Sequence, residues 1–300
     1  MRKPKLDCII AGEANVDLIL NGDAPFEFGK EKLAMQMDLV VGGSSSITAF
    51  NLASLGTSVG FVGVLGKDAF GRFMEDSLRA AGVDLSALRH SKTEKTGLTI
   101  WHTVGGKRAG LTYPGTISML RSRDVPGSYL QHSRHLHVGA YFLLENLHAG
   151  AAALFRRAKK LGLTTSLDCN YDPTEQWDSH IRQVLRYTDV FLPNEIEAMK
   201  LTHAVTPEQA AHELGSLVPV VAIKLGAKGA YIHSAEDSFH APALRSKVVD
   251  TTGAGDSFNA GFLSEYVRGS HLKVCARAGI SAAARSITAV GGTAAFARSL

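Results

Sequence analysis

The sequence has only three cysteines, Cys8, Cys169 and Cys275, spread over 300 residues. They form no CxxC pair and no ligand spacing with histidine, which argues against a structural zinc site. So small and odd a number predicts free, buried thiols in a reducing compartment. Long hydrophobic runs are also missing. The apolar run at 8–12 follows Arg2, Lys3 and Lys5 and soon meets Glu13 and Asp17, too short for a membrane span or a secretion signal. A cytoplasmic protein with no membrane partner is therefore expected. Blocks of one charge sign are absent too. The net charge is +4 with the charges scattered, which predicts no nucleic-acid partner. There is no long linker, low-complexity tract or internal repeat. One domain over 1–300 is expected.

What is present is glycine, 30 residues of it, in a chain that is otherwise 45% hydrophobic and 20% charged. Glycine serves where backbone turns sharply or approaches a ligand. Short apolar runs at 8–12, 59–65, 135–140, 164–168, 190–192 and 218–225 suit buried parallel strands. Helical periodicity falls between them, at 46–55, 70–81, 150–161, 181–187, 195–201 and 207–214, and two small-residue helices follow from Ser257. This alternation predicts an α/β fold of three layers, a mostly parallel sheet between helices. Two regions break the rhythm, about 13–40 and 96–113. The second reads as a hairpin around Gly105-Gly106, and both are expected to form a small β lid. In it Leu98, Ile100 and His102 alternate with Thr99, Trp101 and Thr103, so one face should meet substrate and the other a partner or solvent.

Chemistry concentrates in 250–262, Asp-Thr-Thr-Gly-Ala-Gly-Asp-Ser-Phe-Asn-Ala-Gly-Phe. Gly253, Ala254 and Gly255 stand just before a helix of small and apolar residues. Bare N–H groups at a helix start, with the positive dipole end, make an anion site suited to a transferring phosphoryl group. Asp256 at the same place either caps the helix or takes a proton from a substrate hydroxyl. Asp17, just past the first strand, either closes a turn or accepts polyol hydroxyls. Gly66-Lys67 does not complete a phosphate loop, because Phe61 stands five residues before Gly66 and Asp68 follows Lys67.

The stretch from Asp250 to Asp256, followed by Phe258-Asn259-Ala260-Gly261, resembles the C-terminal hallmark of the PfkB, or ribokinase-like, carbohydrate kinases. Gly12 to Asp17 is similar to the family's Gly-x-x-x-x-Asp strand end. Gly42-Gly43 and 62–71 resemble its N-terminal hallmark. Asp168-Cys169-Asn170, Asn194-Glu195-Ile196-Glu197 and Lys224 to Gly229 match further elements in order.

The resemblance implies an ATP-dependent kinase that phosphorylates a hydroxyl of a sugar or sugar-like molecule. Asp256 would be the base, with the amides of Gly253, Ala254 and Gly255 as anion hole. Asp17, Gly42, Gly43 and Asn170 would meet substrate. Asn194, Lys224 or Lys228, Gly226 and Gly229 would serve the nucleotide, and Glu197 would hold Mg²⁺ through water. Asp250, Thr252, Ser286, Ala289 and Gly291 would surround K⁺. Relatives' lids often pair, so a homodimer through the lid is expected, with Trp101 among its exposed apolar residues. One departure stands out. Where the family commonly has a substrate-binding Asn, four residues after the second glycine, this chain has Ile47, and Asn51 one turn on is not assumed to replace it. Two other readings remain open at this point. One is a nucleoside kinase with Ile47, Leu98, Trp101 and Tyr141 lining a base pocket. The other is a sugar-binding regulatory protein without catalysis.

Overall fold

A computed structural model describes residues 6–105 and 107–297. The basic start at 1–5 and Gly106 of the expected hairpin turn lie outside the described residues. In chain order the strands are β1 (Leu6–Ala11), β2 (Asn15–Gly22), β3 (Ala34–Gly42), β4 (Val59–Val62), β5 (Val64–Leu65), β6 (Arg89–His90), β7 (Gly97–Val104), β8 (Lys107–Tyr113), β9 (Ser133–Val138), β10 (Thr164–Leu167), β11 (Val190–Phe191), β12 (Val220–Lys224), β13 (Ala230–Ser234) and β14 (Ser238–Ala241). The helices are α1 (Ser44–Ser54), α2 (Ala69–Ala80), α3 (Gly127–Leu130), α4 (Glu145–Lys160), α5 (Ile181–Leu185), α6 (Glu195–Thr202), α7 (Pro207–Gly215), α8 (Ala254–Tyr266) and α9 (Leu272–Ser286).

The main sheet has eight strands in the order β14-β13-β12-β11-β10-β9-β1-β4. Its neighbours from β12 to β4 run parallel, while β13 and β14 turn antiparallel at one edge. The six apolar runs become its buried strands. β1, β4, β11 and β12 carry apolar side chains on both faces, whereas in β9 and β10 one face is apolar and the other holds His135 and His137, both hydrogen-bonded to Ser166 Oγ. In β1, Ile9 and Ala11 pack into the layer made by α4, α5, α6 and α7. Cys8 and Ile10 point the other way, into the layer of α1, α2, α8 and α9. Period-two alternation thus feeds two cores from one strand, and each fully buried Ile or Leu contributes about 1.5–3 kcal/mol. All three cysteines are free and buried, as expected.

The run at 59–65 is split at Gly63, whose place leaves no room for a side chain: a Cβ there would lie 2.8 Å from Gly12 O. The helix expected at 150–161 starts earlier, at Glu145. The β13–β14 hairpin was not expected. Its strands are short and carry polar residues such as His233 and His240, so no apolar run marks them.

The two irregular regions form a separate four-stranded sheet, β3-β2-β7-β8. Its register sorts the side chains by face. Asp17 pairs with Val40 and Thr99, Thr99 with Thr112, and Trp101 with Gly110. Leu18 pairs with Leu39 and Ile100, and Ile100 with Leu111. The polar set covers the cleft. The apolar set faces away, with Met37, Leu39, Leu111 and Tyr113 exposed. Trp101 therefore does not belong to an outward dimer surface: it shares the face of Asp17, because odd-numbered residues of β7 point inward. Among the described residues no helix is long and apolar enough to cross a membrane.

Candidate active site

The carboxyl ends of the parallel strands open toward the lid, where ligands gather in open α/β sheets. From the sheet come Glu13 after β1, Asp168 after β10, Asn194 after β11 and Lys224 at the end of β12. The start of α8 completes the group. Gly253 precedes that helix with φ 70°, and a Cβ there would fall 2.5 Å from Gly292 Cα. Only glycine fits a left-handed residue pressed against another backbone. Ala254 N–H donates to Thr251 O at 3.3 Å, and Ser257 N–H closes the first turn on Gly253 O at 2.8 Å.

Asp256 sits in that first turn, half-buried, next to Gly255, which lines a cavity. Burial and then the negative charge of Asp168 push its carboxyl up to about 7, against the pull of Lys224. A carboxyl held near neutrality suits general-base work.

Lys224 lies beneath the same helix start. Its Nζ is 3.6 Å from where a Cβ would stand on Gly255. It donates to Asp168 Oδ2 at 2.7 Å and to Asn259 Oδ1 at 3.3 Å. Asn259 Nδ2 also donates to Asp168 Oδ2. Burial works against this ammonium, yet Asp168 and Glu197 outweigh it and hold its pKa above the ordinary lysine value. Burial likewise opposes the Asp168 charge, but Lys224 and Asn259 win and keep that carboxyl ionised. Of the two lysines in the turn, Lys224 faces the site, whereas Lys228 is exposed. Asn170, at φ 57°, donates its N–H to Asp168 Oδ1 at 3.0 Å and stays half-buried at the rim.

Asn194 and Glu197 form a capping box on α6: Asn194 Oδ1 accepts from Glu197 N–H at 2.9 Å, and Glu197 accepts from Asn194 N–H at 2.9 Å. Asn194 Nδ2 and the Cys169 thiol also donate to Glu197. Glu197 is 3% exposed. Its carboxyl is pushed up, by burial first and Asp168 second. Asp168, Cys169 and Glu197 form a tight cluster, but Lys224 already stands on Asp168.

A cavity of about 470 Å³ runs from Lys224, Gly226 and Gly229 past Ala254 and Gly255 to Ile287. Gly229, at φ 101°, could carry no side chain, since a Cβ would meet Ala241 O at 2.1 Å.

Across the cleft, the lid presents Asp17, 5% exposed. It accepts from Asn15 Nδ2 at 3.1 Å and from Trp101 Nε1 at 3.2 Å. Burial raises its carboxyl to about 6, with Trp101 opposing. Gly42 makes this possible, because a Cβ there would sit 2.1 Å from Asp17 Oδ1; at Gly43 it would meet Asn15 Oδ1 at 2.7 Å.

Asp250 binds its own turn: Oδ1 accepts from Thr252 N–H at 3.0 Å and Thr252 Oγ1 at 2.7 Å, while Oδ2 accepts from Gly291 N–H at 2.9 Å. This brings together 250–252 and the 286–292 loop, in which Ser286 is buried and Ala289 N–H donates to Ser286 O at 3.3 Å.

Ile47 is 2% exposed and packs against Gly253 and Gly292, so it shapes the back of the anion site. Asn51 ties Ser257 Oγ and Gly292 O, each at 2.9 Å, and does not reach the cleft. Tyr141 is fully buried and donates to Ser179 O at 2.6 Å. Ile47 and Tyr141 belong to different cores on opposite faces of the sheet. The base pocket of Ile47, Leu98, Trp101 and Tyr141 is therefore not formed. Lys67 is exposed, as expected for an ordinary surface residue. Glu13, Asn259 and Arg108 were not anticipated. Glu13 accepts from Ser45 N–H at 3.1 Å and Ser45 Oγ at 2.5 Å, and burial raises it to about 7.

The pfkB family carbohydrate kinase profile matches residues 5–298. The chain belongs to the PfkB family. Among its relatives, the 2-dehydro-3-deoxygluconokinase of Bacillus subtilis (strain 168) is 30% identical over 301 residues, 96% of this chain and 91% of that protein. The crystal structure of a PfkB protein from Polaromonas sp. JS666 aligns with TM-score 0.82 at 27% identity, covering 94% of this chain and 96% of that one. A putative ribokinase II of E. coli, in complex with ATP and Mg²⁺, has the same fold: TM-score 0.85, 24% identity, 98% and 96% covered. This PfkB kinase belongs to a family of sugar and nucleoside kinases; its Lys224 lines the cavity, and Asp256 lies close enough to feel the charges of both Lys224 and Asp17.

Proposed function

We propose that this chain, as one kinase domain, transfers the γ-phosphoryl group of ATP to a hydroxyl of a small sugar or sugar acid. The observation that carries this reading is Asp256, raised to about 7 at the start of α8, between the glycine-lined cavity and Asp17 of the lid. Nucleotide phosphates enter over Gly226, Gly229 and Gly255, toward Lys224. The acceptor lies under the lid, where Asp17 and Asn170 accept or donate to its hydroxyls, and Gly42 and Gly43 let it approach the backbone. Asp256 takes the hydroxyl proton. The amides of Gly253 and Gly255, that of Ala254 once it leaves Thr251 O at 3.3 Å, and the Lys224 ammonium face the charge that grows on the transferred group. Closure of the lid keeps water out.

Mg²⁺ fits the oxygen donors Asp168, Asn194 and Glu197 as an ion held through water, since Lys224 already occupies Asp168 and the Glu197 oxygens already accept hydrogen bonds. Bound with ATP, it neutralises phosphate charge. The junction of Asp250, Thr252, Ser286, Ala289 and Gly291 supports K⁺ binding through carbonyls. Replacing K⁺ by tetramethylammonium should then slow turnover.

The apolar outer face of the lid, with Met37, Leu39, Leu111 and Tyr113, is covered by a second copy. Such a contact would be isologous, the same face meeting itself across a two-fold axis. Light scattering of a Leu111→Glu variant as a monomer, against a dimeric native chain, checks this.

The test of function is ADP release with Mg²⁺ and K⁺ over a panel of sugars, sugar acids and nucleosides. The 2-dehydro-3-deoxygluconokinase relative puts sugar acids first. Phosphorylation of a sugar or sugar acid is the expected result. Ligand-dependent thermal stabilisation without any ADP would overturn the catalytic reading.

A further inference from the structure

Arg108 leaves the exposed strand β8 and reaches the body of the protein. Its Nη1 donates to Thr252 Oγ1 and stands 3.6 Å from Asp250 Oδ1. The guanidinium carbon lies 3.8 Å from the centre of the Trp101 ring. Although β8 is exposed along its length, the Arg108 side chain keeps only 25% exposure.

Local sequence explains the stacking. Trp101 pairs across the strands with Gly110, and a Cβ on Gly110 would lie 2.4 Å from the indole. Glycine there lets the ring lie flat over β8 and offer a face to Arg108. The ring's other anchor is its N–H, which donates to Asp17 Oδ2 at 3.2 Å. On the body side the geometry is equally directed. Thr252 gives its hydroxyl proton to Asp250 Oδ1 at 2.7 Å, so its oxygen lone pairs are free to accept from Arg108. A continuous path thus joins the acceptor-side carboxylate of Asp17, through Trp101, Arg108 and Thr252, to Asp250 and Gly291 N–H, 2.9 Å beyond.

We propose that Arg108 is a positioning residue that latches the lid onto the Thr252–Asp250 turn, tying enclosure of the acceptor to the set of the phosphoryl site. It does so without touching the reacting atoms. Thr252 is next to Gly253, so whatever holds Thr252 also fixes where the α8 amides and Asp256 begin. Arginine is suited to this because one planar group can stack on the indole while it donates at its edge, which lysine cannot do. The proposal rests on the kinase reading for its consequence, not for its geometry.

Two arms test it on the full chain. The first needs no activity. In a Trp177→Phe background Trp101 is the one tryptophan left of the two. Acrylamide quenching of its fluorescence should rise in Arg108→Met. It should rise also in Thr252→Val, which keeps Arg108 and Trp101 and removes the acceptor on the body together with the hydroxyl's own bond to Asp250 Oδ1. If Trp177→Phe does not fold, the same differences are read with Trp177 present, since it packs on Phe142 and Tyr171 and adds a constant signal. Unchanged quenching in both variants overturns the latch. The second arm uses an acceptor found active with the native chain. Arg108→Met should raise its KM about tenfold, the equivalent of one charge-assisted hydrogen bond. Acceptor phosphorylated per ADP released should fall below unity, with Arg108→Lys in between. A lowered kcat with that ratio still at unity marks a merely structural role and also overturns the latch. If the native chain phosphorylates nothing, the kinase reading falls, while the quenching arm still decides the latch.

Discussion

Lys224 Nζ stands 2.7 Å from Asp168 Oδ2 with both side chains nearly out of solvent, 13% and 5% exposed. Neither charge tolerates loss of the other. Lys224→Met leaves Asp168 uncompensated beside Glu197 and should cost about 3–5 kcal/mol in a urea melt. Adding Asp168→Asn should restore part of that stability, because the double variant buries no lone charge. A double variant less stable than Lys224→Met would show that the pair is not what holds this corner.

Asp256→Asn should keep ATP binding and lose about two to four orders of magnitude in turnover. Titration of the bound nucleotide and steady-state kinetics read the two separately. Near-native turnover would remove Asp256 from the role of base.

In the native enzyme, kcat/KM for the acceptor should rise with pH and level off above about 7, because Asp256 must be ionised to accept a proton and burial raises it to about 7. Asp17, raised to about 6, titrates on the same limb. A rate independent of pH between 5 and 8 would contradict this assignment.

Gly42→Ala should disturb the acceptor and spare the nucleotide. The new methyl would arrive 2.1 Å from Asp17 Oδ1, and the carboxylate has to move. A displacement near 1 Å can cost up to about 100-fold in rate, so acceptor KM should rise while ATP KM holds. Equal changes in both would point to a general loss of fold.

Much of this was legible in the sequence. Strands such as β1 and β12 show as apolar runs because both their faces are buried, and the 250–256 stretch carries its chemistry in adjacent residues. The orientation of the lid was not legible. Alternation in β7 shows two faces but not which one is inward, so Trp101 was expected outside and is found donating to Asp17. Ile47 stood in a position expected to face substrate, yet it fills the space against two glycines, Gly253 and Gly292, more than 200 residues away in sequence. Arg108 had no signal at all: its partners Thr252 and Asp250 become neighbours only when the lid folds over the sheet edge. Glu13 lay inside a stretch that was read for Asp17, and its burial depends on Ser45 arriving from α1.

Glu13 gives the last prediction, on stability. Its carboxyl is 2% exposed and is raised to about 7, chiefly by burial, with the two bonds from Ser45 opposing. Such a group favours the folded state fully while it is protonated, below its unfolded value of 4.5. That contribution fades as pH climbs through about 7, because the folded state must then hold a buried charge that the unfolded chain solvates. Glu13→Gln removes the charge and keeps an oxygen for Ser45 N–H. Its melting temperature should match or fall slightly below the native protein at pH 5 and exceed it at pH 8. The active site would then be a place where stability is given up for chemistry, and a variant destabilised equally at both pH values would show that Glu13 holds Ser45 in a way glutamine cannot.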